Sequence, residues 1–452
     1  MTIKEAGEAL RGGGVSAVEL TKAALARVER LDKALNAFIT VTRETALAEA
    51  QQADKELAAG RGRGPLHGIP IALKDLFFTR GVRTTGGSKV FWDFVPDHDA
   101  AVVEKLRAAG AVLLGKLNMH ELAYGTTSAN PHFGPVRNPW DTERNPGGSS
   151  GGSGAAVASG MVFMAMGSDT GGSIRIPSSF CGTVGLKPTY GRVSRRGTFP
   201  LGFTLDHVGP LTRSARDAAL AFNAIVERGG TVAIPDEGVG IRGLRVGFPE
   251  NFYFERLDRD VESAVRGALA RAESLGAAIK PVRVPDVPAL NAAARVILLA
   301  EASAIMERHL GERQKFGADV LALLDQGRVL AATDYVNAQR VRRKLRGEFA
   351  KLWSEVDCLF TPTTPIVAPR IGERTVRVGG EDEDVRLAST RMLRAINALG
   401  YPAVTIPCGL SGSGLPIGLQ IVGAPDDEGL ILRAAAALED AGIVIPPCPV
   451  KG

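Results

Sequence analysis

The chain has 452 residues, of which 45% are apolar, 23% charged and 6% aromatic, the balance of a soluble globular protein with enough length for a substantial core. No window approaches the roughly 18 uncharged apolar residues of a membrane span. Met1 to Glu5 lacks the basic-then-apolar layout of a signal peptide, so a cytoplasmic protein without a membrane partner is expected.

The first 60 residues read as helices. Thr2-x-x-Glu5 and Ser16-x-x-Glu19 are capping boxes, in which side chains satisfy the free N–H groups of a helix start. Behind the second box, Leu20, Ala24, Val28 and Leu31 form an apolar stripe, and Gly60 to Gly64 breaks the pattern. From Pro65 to about Thr212 strand-like and helical stretches alternate. Ile69 to Leu73 is a short apolar run, Asp99 can cap a helix ending at Ala109 and Gly110, and Ala111 to Leu114 reads as a buried strand. Such alternation implies an α/β fold: a mixed central β-sheet covered by helices on both faces.

Residues 213–350 are mostly helical, with strand-like pieces such as Leu244 to Phe248. Their dense basic run, Arg340 to Arg346, shares the segment with Val341, Leu345, Phe349 and Leu352 at helical spacing. It is read as the solvated face of an amphipathic helix, and the net charge of +5 then calls for no nucleic-acid partner. Cys358 to Phe360 and Leu415 to Val422 are strands expected to return to the sheet, and a last helix spans about Asp427 to Asp440. The four cysteines, Cys181, Cys358, Cys408 and Cys448, lack zinc-ligand spacing, so neither a metal site nor a disulfide framework is expected.

Two stretches carry chemistry. Gly147-Gly148-Ser149-Ser150-Gly151-Gly152-Ser153-Gly154 and Gly167-Ser168-Asp169-Thr170-Gly171-Gly172-Ser173 bracket an apolar run, Ala155 to Met166, expected as a buried helix. Glycines let backbone approach a ligand and let successive N–H groups converge on an oxyanion. Upstream, Gly68 to Asp75 ends an apolar run with Lys74. Desolvation can lower a buried lysine by roughly 3–5 pKa units, leaving an amine able to take a proton from a serine.

These stretches, with Gly115 to Met119 and Gly167 to Pro188, resemble the amidase signature family of serine amidohydrolases. Lys74 and Ser149, and Ser149 and Ser173, stand 75 and 24 residues apart, as in that family. The resemblance implies one amidase domain over 1–452: a helical segment to 64, a catalytic core over 65–212, a variable region over 213–350, and a C-terminal return over 351–452. It implies Ser173 as nucleophile, Ser149 as a bridging serine preceded by a cis peptide, and Lys74 as base. The N–H groups of Thr170, Gly171, Gly172 and Ser173 would form the oxyanion hole, with Asp169, Arg175 and Ser150 in support. Each donor is worth roughly 3–4 kcal/mol by analogy with single removed donors. No metal or organic cofactor is implied.

Competing readings fail on their own terms. Gly147 to Gly151 satisfies G-x-S-x-G, but that fold needs a later acid and histidine, and no histidine follows His309. There is no S-x-x-K tetrapeptide. Gly110 to Lys116 fits G-x-x-x-x-G-K, yet Leu117 stands where Ser or Thr should bind magnesium. Tyr124, Gly125, Thr126, Phe199, Leu201 and Phe203 are candidate pocket residues. Their aromatic content favours an apolar or aryl group on a small amide, anilide or carbamate (urethane), with esters as side reactions. The alternative is the A subunit of an amidotransferase-like or carboxybiuret-hydrolase-like complex. Against glutamine stand Thr390 at the position where the family's glutamine site has an acidic residue, and no matching arginine around Ala318 and Asp319. A homodimer is left open.

Overall fold

A computed structural model describes residues 1–450. Both N-terminal capping boxes form. Thr2 and Glu5 exchange side-chain and backbone hydrogen bonds to start α1 (Ile3–Arg11), and Ser16 and Glu19 do the same for α2 (Ala17–Leu35). Ala24, Val28 and Leu31 are buried under α2. The N-terminal segment is not all helix, because a short strand, β1 (Phe38–Val41), separates α2 from α3 (Arg43–Ala58).

The centre of the molecule is an eleven-stranded mixed sheet. In chain order its further strands are β2 (Pro70–Lys74), β3 (Val112–Leu117), β4 (Met164–Asp169), β5 (Val184–Lys187), β6 (His207–Thr212), β7 (Arg245–Pro249), β8 (Ala278–Val282), β9 (Cys358–Pro362), β10 (Ala403–Leu410) and β11 (Pro416–Gly423). Their spatial order is β1-β3-β2-β4-β6-β5-β10-β11-β9-β7-β8. β2 runs parallel to both β3 and β4, while β4 and β6, β6 and β5, β5 and β10, and β10 and β11 are antiparallel. Strands buried on both faces carry no polar alternation, which is why β2 and β3 open as apolar runs before reaching Lys74 and Lys116, while β4 closes on Ser168 and Asp169.

The helices packing on this sheet continue as α4 (Ala101–Ala108), α5 (Gly151–Ala158), α6 (Arg175–Cys181), α7 (Ala215–Ile225) and α8 (Arg259–Ser274). After them come α9 (Val287–Met306), α10 (Ala318–Arg328), α11 (Ala332–Ala350), α12 (Val385–Thr390), α13 (Arg394–Leu399) and α14 (Glu428–Asp440).

Four expectations need correction. The apolar run Ala155 to Met166 is half helix and half strand. α5 stops at Ala158, Ser159 Oγ turns back onto the Ala155 carbonyl at 2.7 Å, Gly160 takes φ +70°, and the chain enters β4. A buried strand and a buried helix of that length share one hydropathy profile. Asp99 does not cap α4; it accepts from the Arg80 N–H at 2.7 Å and pairs with Arg107 at 3.0 Å. The basic run of α11 is not wholly solvated, because Arg342 reaches inward to the Ala398 carbonyl at 2.6 Å and the Thr204 carbonyl at 3.0 Å. Finally, Val287–Lys315 is long and apolar enough, by length and composition, to cross a membrane. It packs instead on α10 and α11, and its buried Glu301 accepts from the Thr204 N–H and hydroxyl at 3.0 and 2.7 Å.

Candidate active site

Lys74 is the last residue of β2, at the carboxyl edge of three parallel strands, where α/β sheets open their clefts. The parallel register sets Leu73 beside Met166, so the next residues, Lys74 and those ending β4, meet at the same level. Ser149 and Ser150 arrive from the opposite side, at the start of α5. Lys74 is completely buried, and its Nζ lies 2.7 Å from Ser149 Oγ, 2.8 Å from Ser168 Oγ and 3.0 Å from Ser150 Oγ. Burial pushes this amine down to about 7, against a smaller opposing pull from Asp169 and Asp206. Ser150 also donates to the Ser168 carbonyl at 3.2 Å. A neutral amine has two N–H donors and one lone pair. Ser150 and Ser168 can accept the two donors, which turns the lone pair to the Ser149 hydroxyl.

The Gly148–Ser149 peptide is cis, as the resemblance implied. Glycine is required just before it, because a Cβ on Gly148 would stand 2.8 Å from the backbone of Thr126, Thr127 and Ser128.

The second glycine segment forms a loop between β4 and α6, braced from within. Asp169 accepts from the Gly172 N–H at 2.7 Å, the Ile174 N–H at 3.1 Å and the Arg175 N–H at 3.4 Å. Its oxygens also take Arg175 Nε at 3.0 Å, Arg175 Nη2 at 2.9 Å and Asn397 Nδ2 at 2.8 Å. Burial alone would raise the Asp169 carboxyl, but the Arg175 guanidinium reverses this and holds it far below the usual carboxylate range. Arg175 goes on to Gln420 Oε1 and Asn397 Oδ1, each at 2.6 Å. A second acid, Asp206, holds the loop's other side, accepting from Thr170 Oγ1 at 2.6 Å and from the Leu201 N–H at 2.9 Å.

This bracing corrects one expectation: the Gly172 N–H is consumed by Asp169 and is not available to an oxyanion. The Thr170, Gly171 and Ser173 N–H groups have no hydrogen-bond partner among the described residues. The Ser173 side chain, 7% exposed, faces the pocket and makes no hydrogen bond to Ser149; the two segments touch through the Ser150 N–H and the Ser173 carbonyl at 3.3 Å. No histidine side chain hydrogen-bonds Ser149, Ser150 or Ser173 among the described residues; His120 meets Ser149 only through its backbone N–H, 3.1 Å from the Ser149 carbonyl. Lys116, within the nucleotide-loop lookalike, is buried on β3, with Nζ on Thr84 Oγ1 at 2.6 Å and the Phe77 carbonyl at 2.8 Å.

Ser173 opens into a cavity of about 450 Å³. Tyr124, Gly125, Thr126 and Leu201 line it, as expected, together with Thr170 and Gly171 of the nearby loop. Phe199 and Phe203 do not: they line a neighbouring cavity of about 270 Å³. Phe199 stacks on Phe91 at 4.4 Å and meets Phe78 edge-on at 4.9 Å, and Phe203 is 49% exposed. The rest of the main cavity comes from the helices of the variable and C-terminal regions, including Arg295, Asp319, Asp384, Arg386, Thr390 and Arg394. Thr390 and Asp319 stand out in the sequence only through the resemblance, as positions at or beside the family's glutamine site; the three arginines and Asp384 carry no local pattern, because α9, α12 and α13 converge only in the fold. Ser168 and Asn397 were missed for the same reason. Among the described residues no group of three or more His, Cys, Asp or Glu side chains is placed to hold a metal ion.

A desolvated lysine on one serine, beside a glycine loop carrying a second serine and unspent N–H donors, on a mixed α/β sheet, is an arrangement suited to a serine hydrolase with a lysine base. An amidase family model matches residues 19–432, and the chain belongs to the amidase family, enzymes that act on carbon–nitrogen bonds. It is 41% identical to the A subunit of the glutamyl-tRNA(Gln) amidotransferase from a Geobacter species, over 97% of this chain and 96% of that protein. Among solved structures it superposes on one described as a vestigial protein complex that reveals the evolutionary origins of an s-triazine catabolic enzyme, with a TM-score of 0.92, 39% identity and full coverage of both chains. It superposes on the peptide amidase of Stenotrophomonas maltophilia with a TM-score of 0.87 and 31% identity, over 100% of this chain and 99% of that one.

Proposed function

We propose that the chain is a serine amidohydrolase that cleaves the C–N bond of a small amide, anilide or carbamate through an acyl-enzyme on Ser173. The observation that carries this reading is the buried Lys74 amine, 2.7 Å from Ser149 Oγ and held near neutral pKa by its burial. Ser173 Oγ attacks the carbonyl carbon, passing its proton to Ser149 Oγ as the Ser149 proton moves to Lys74 Nζ. The hydroxyl contact between Ser173 and Ser149 closes on substrate binding, as catalytic hydrogen bonds commonly tighten only in the Michaelis complex. The N–H groups of Thr170, Gly171 and Ser173 receive the oxyanion. The lysinium then returns its proton through Ser149 to the leaving nitrogen, and water hydrolyses the ester by the reverse relay. The test is turnover of an anilide, a primary amide and a carbamate by the purified chain, with Ser173→Ala inactive on all three.

The relatives favour a second reading: the chain is the hydrolytic member of a multi-chain complex. Its curated relatives are named as the A subunit of an amidotransferase, and the near-identical fold at 39% identity is that of a protein complex. Inactivity of the isolated chain on all three substrates, restored on co-purification with partner chains from its native cell, selects this reading over a stand-alone enzyme.

A further inference from the structure

We infer that the Ser173 pocket recognises a carboxylate on its amide substrate, held by Arg394 inside the pocket with Arg386 and Arg295 nearer its mouth. The inference rests on the reading of Ser173 as nucleophile and adds the substrate's charge. Arg394 opens α13 and lies against the nucleophile loop: its Nε is 3.9 Å from where a Cβ on Gly171 would stand. Nη2 donates to Thr390 Oγ1 at 2.9 Å, but Nε is buried without an acceptor. The Tyr124 hydroxyl, on the same cavity, is likewise buried and unpartnered. Tyr124 as a whole is only 6% exposed.

The cavity holds three guanidinium groups against two carboxylates. Both carboxylates are already engaged. Asp384 Oδ1 caps α12 through the Arg386 and Leu387 N–H groups at 2.9 and 3.1 Å, and Asp319 Oδ2 sits 2.9 Å from His120 Nε2. Arg295 and Arg386 make no ion pair and no side-chain hydrogen bond among the described residues. Burial, with Arg295 crowding it, brings the Arg394 guanidinium down to about 10. Buried donors without acceptors are costly, and a planar carboxylate is the acceptor a guanidinium fork fits best. The aryl preference expected from Phe199 and Phe203 loses its basis, since both lie outside this cavity. Because Arg394 abuts the loop that carries Ser173, the carboxylate and the scissile amide must be joined by a short spacer.

The test compares succinamate with butyramide, its neutral analogue of equal length, on the full chain. The expected result is a preference in kcat/KM of about 100-fold for succinamate at low salt, the upper range of a charge-assisted hydrogen bond. That preference should weaken as ionic strength rises and fall by about tenfold or more in Arg394→Met and in Arg386→Gln. Arg295→Gln, at an exposed position, carries the same test should Arg394→Met fail to fold. Equal turnover of the two amides, or a preference unchanged in every arginine variant, overturns the inference while leaving the amidase reading intact. Calorimetric binding of succinate to Ser173→Ala protein decides the matter independently of turnover. Binding lost in the arginine variants would uphold the anion site even where the isolated chain hydrolyses neither amide. No binding at millimolar succinate would overturn the anion site.

Discussion

Lys74→Met should abolish activity and make the protein's stability respond differently to pH. Lysine's ordinary value is 10.5, and burial takes the Lys74 amine to about 7. Below about pH 7 the amine is protonated in both folded and unfolded chains, so the folded state bears the whole cost of burying a charge. Between about 7 and 10.5 the unfolded chain holds the proton and the folded chain does not, so wild-type stability rises with pH. Each pH step is worth about 1.4 kcal/mol, giving about 5 kcal/mol over the interval and about 3 kcal/mol between pH 7 and 9. Methionine fills a similar volume with no proton to lose. Urea unfolding of both proteins at pH 6, 7.5 and 9 should therefore show Lys74→Met matching or exceeding wild type at pH 6 and losing that advantage by pH 9. The acidic limb of kcat/KM should fall near pH 7 in wild type. A stability difference that stays constant from pH 6 to 9, or an activity limb near pH 10, would refute a desolvated amine as the base.

Ser173→Ala should remove turnover while leaving the urea midpoint close to wild type, because the Ser173 hydroxyl makes no hydrogen bond to the rest of the described structure; a surviving rate within tenfold would exclude it as nucleophile. Ser168→Ala removes one of the three Lys74 partners, and loss of an acceptor favouring the charged amine should move the activity limb to lower pH. Arg175→Met strands the Asp169 carboxylate in the interior and should cost about 3–5 kcal/mol in urea unfolding. Gly172→Ala should destabilise by about 1–3 kcal/mol, since its Cβ would meet Leu393 Cδ1 at 2.6 Å on a residue at φ +124°. Gly171→Ala, with only Arg394 Nε at 3.9 Å, should fold normally.

What the sequence discloses is the part of the site fixed by short-range pattern. The Gly-Gly-Ser-Ser run, the second glycine loop and a lysine closing an apolar strand are each contiguous, and the backbone chemistry of each is local. The capping boxes and the β9 and β11 returns are legible for the same reason. What it hides is set by long-range placement. Ser168 is an ordinary residue within its segment until the parallel register of β2 and β4 brings it to Lys74 Nζ. Arg342 belongs to a run of like charges until the packing of α11 turns it toward Thr204 and Ala398. The Ala155 to Met166 run misleads because a central strand and a buried helix both lack polar alternation, and only Gly160 marks the switch. Phe199 and Phe203 follow the pocket residues in sequence, yet the turn at Leu201 and Gly202, pinned by Asp206, sends them to another cavity.

Asn397 shows why the C-terminal return is part of the site. Its Nδ2 donates to the Asp169 carbonyl and to Asp169 Oδ1, both at 2.8 Å, while its Oδ1 accepts from Arg175 Nη2 at 2.6 Å. The Ser173 loop is therefore held from α13, and Gln420 on β11 adds a second hold through Arg175. Asn397 touches no reacting atom, so it is a positioning residue: it fixes Asp169, which fixes the Gly172 N–H, which sets where Ser173 points. Asn397→Asp keeps the volume but replaces two donors with a second carboxylate beside Asp169, leaving a like-charge pair in the interior. The unmet bonds cost about 1–3 kcal/mol each. Because the loop, not the pocket wall, is disturbed, kcat should fall well over tenfold with KM changed little, and Asn397→Ala, which adds no charge, should be the milder variant in urea unfolding. A rise in KM with kcat preserved would mean that α13 shapes the pocket only, and that the loop is held by Arg175 without it.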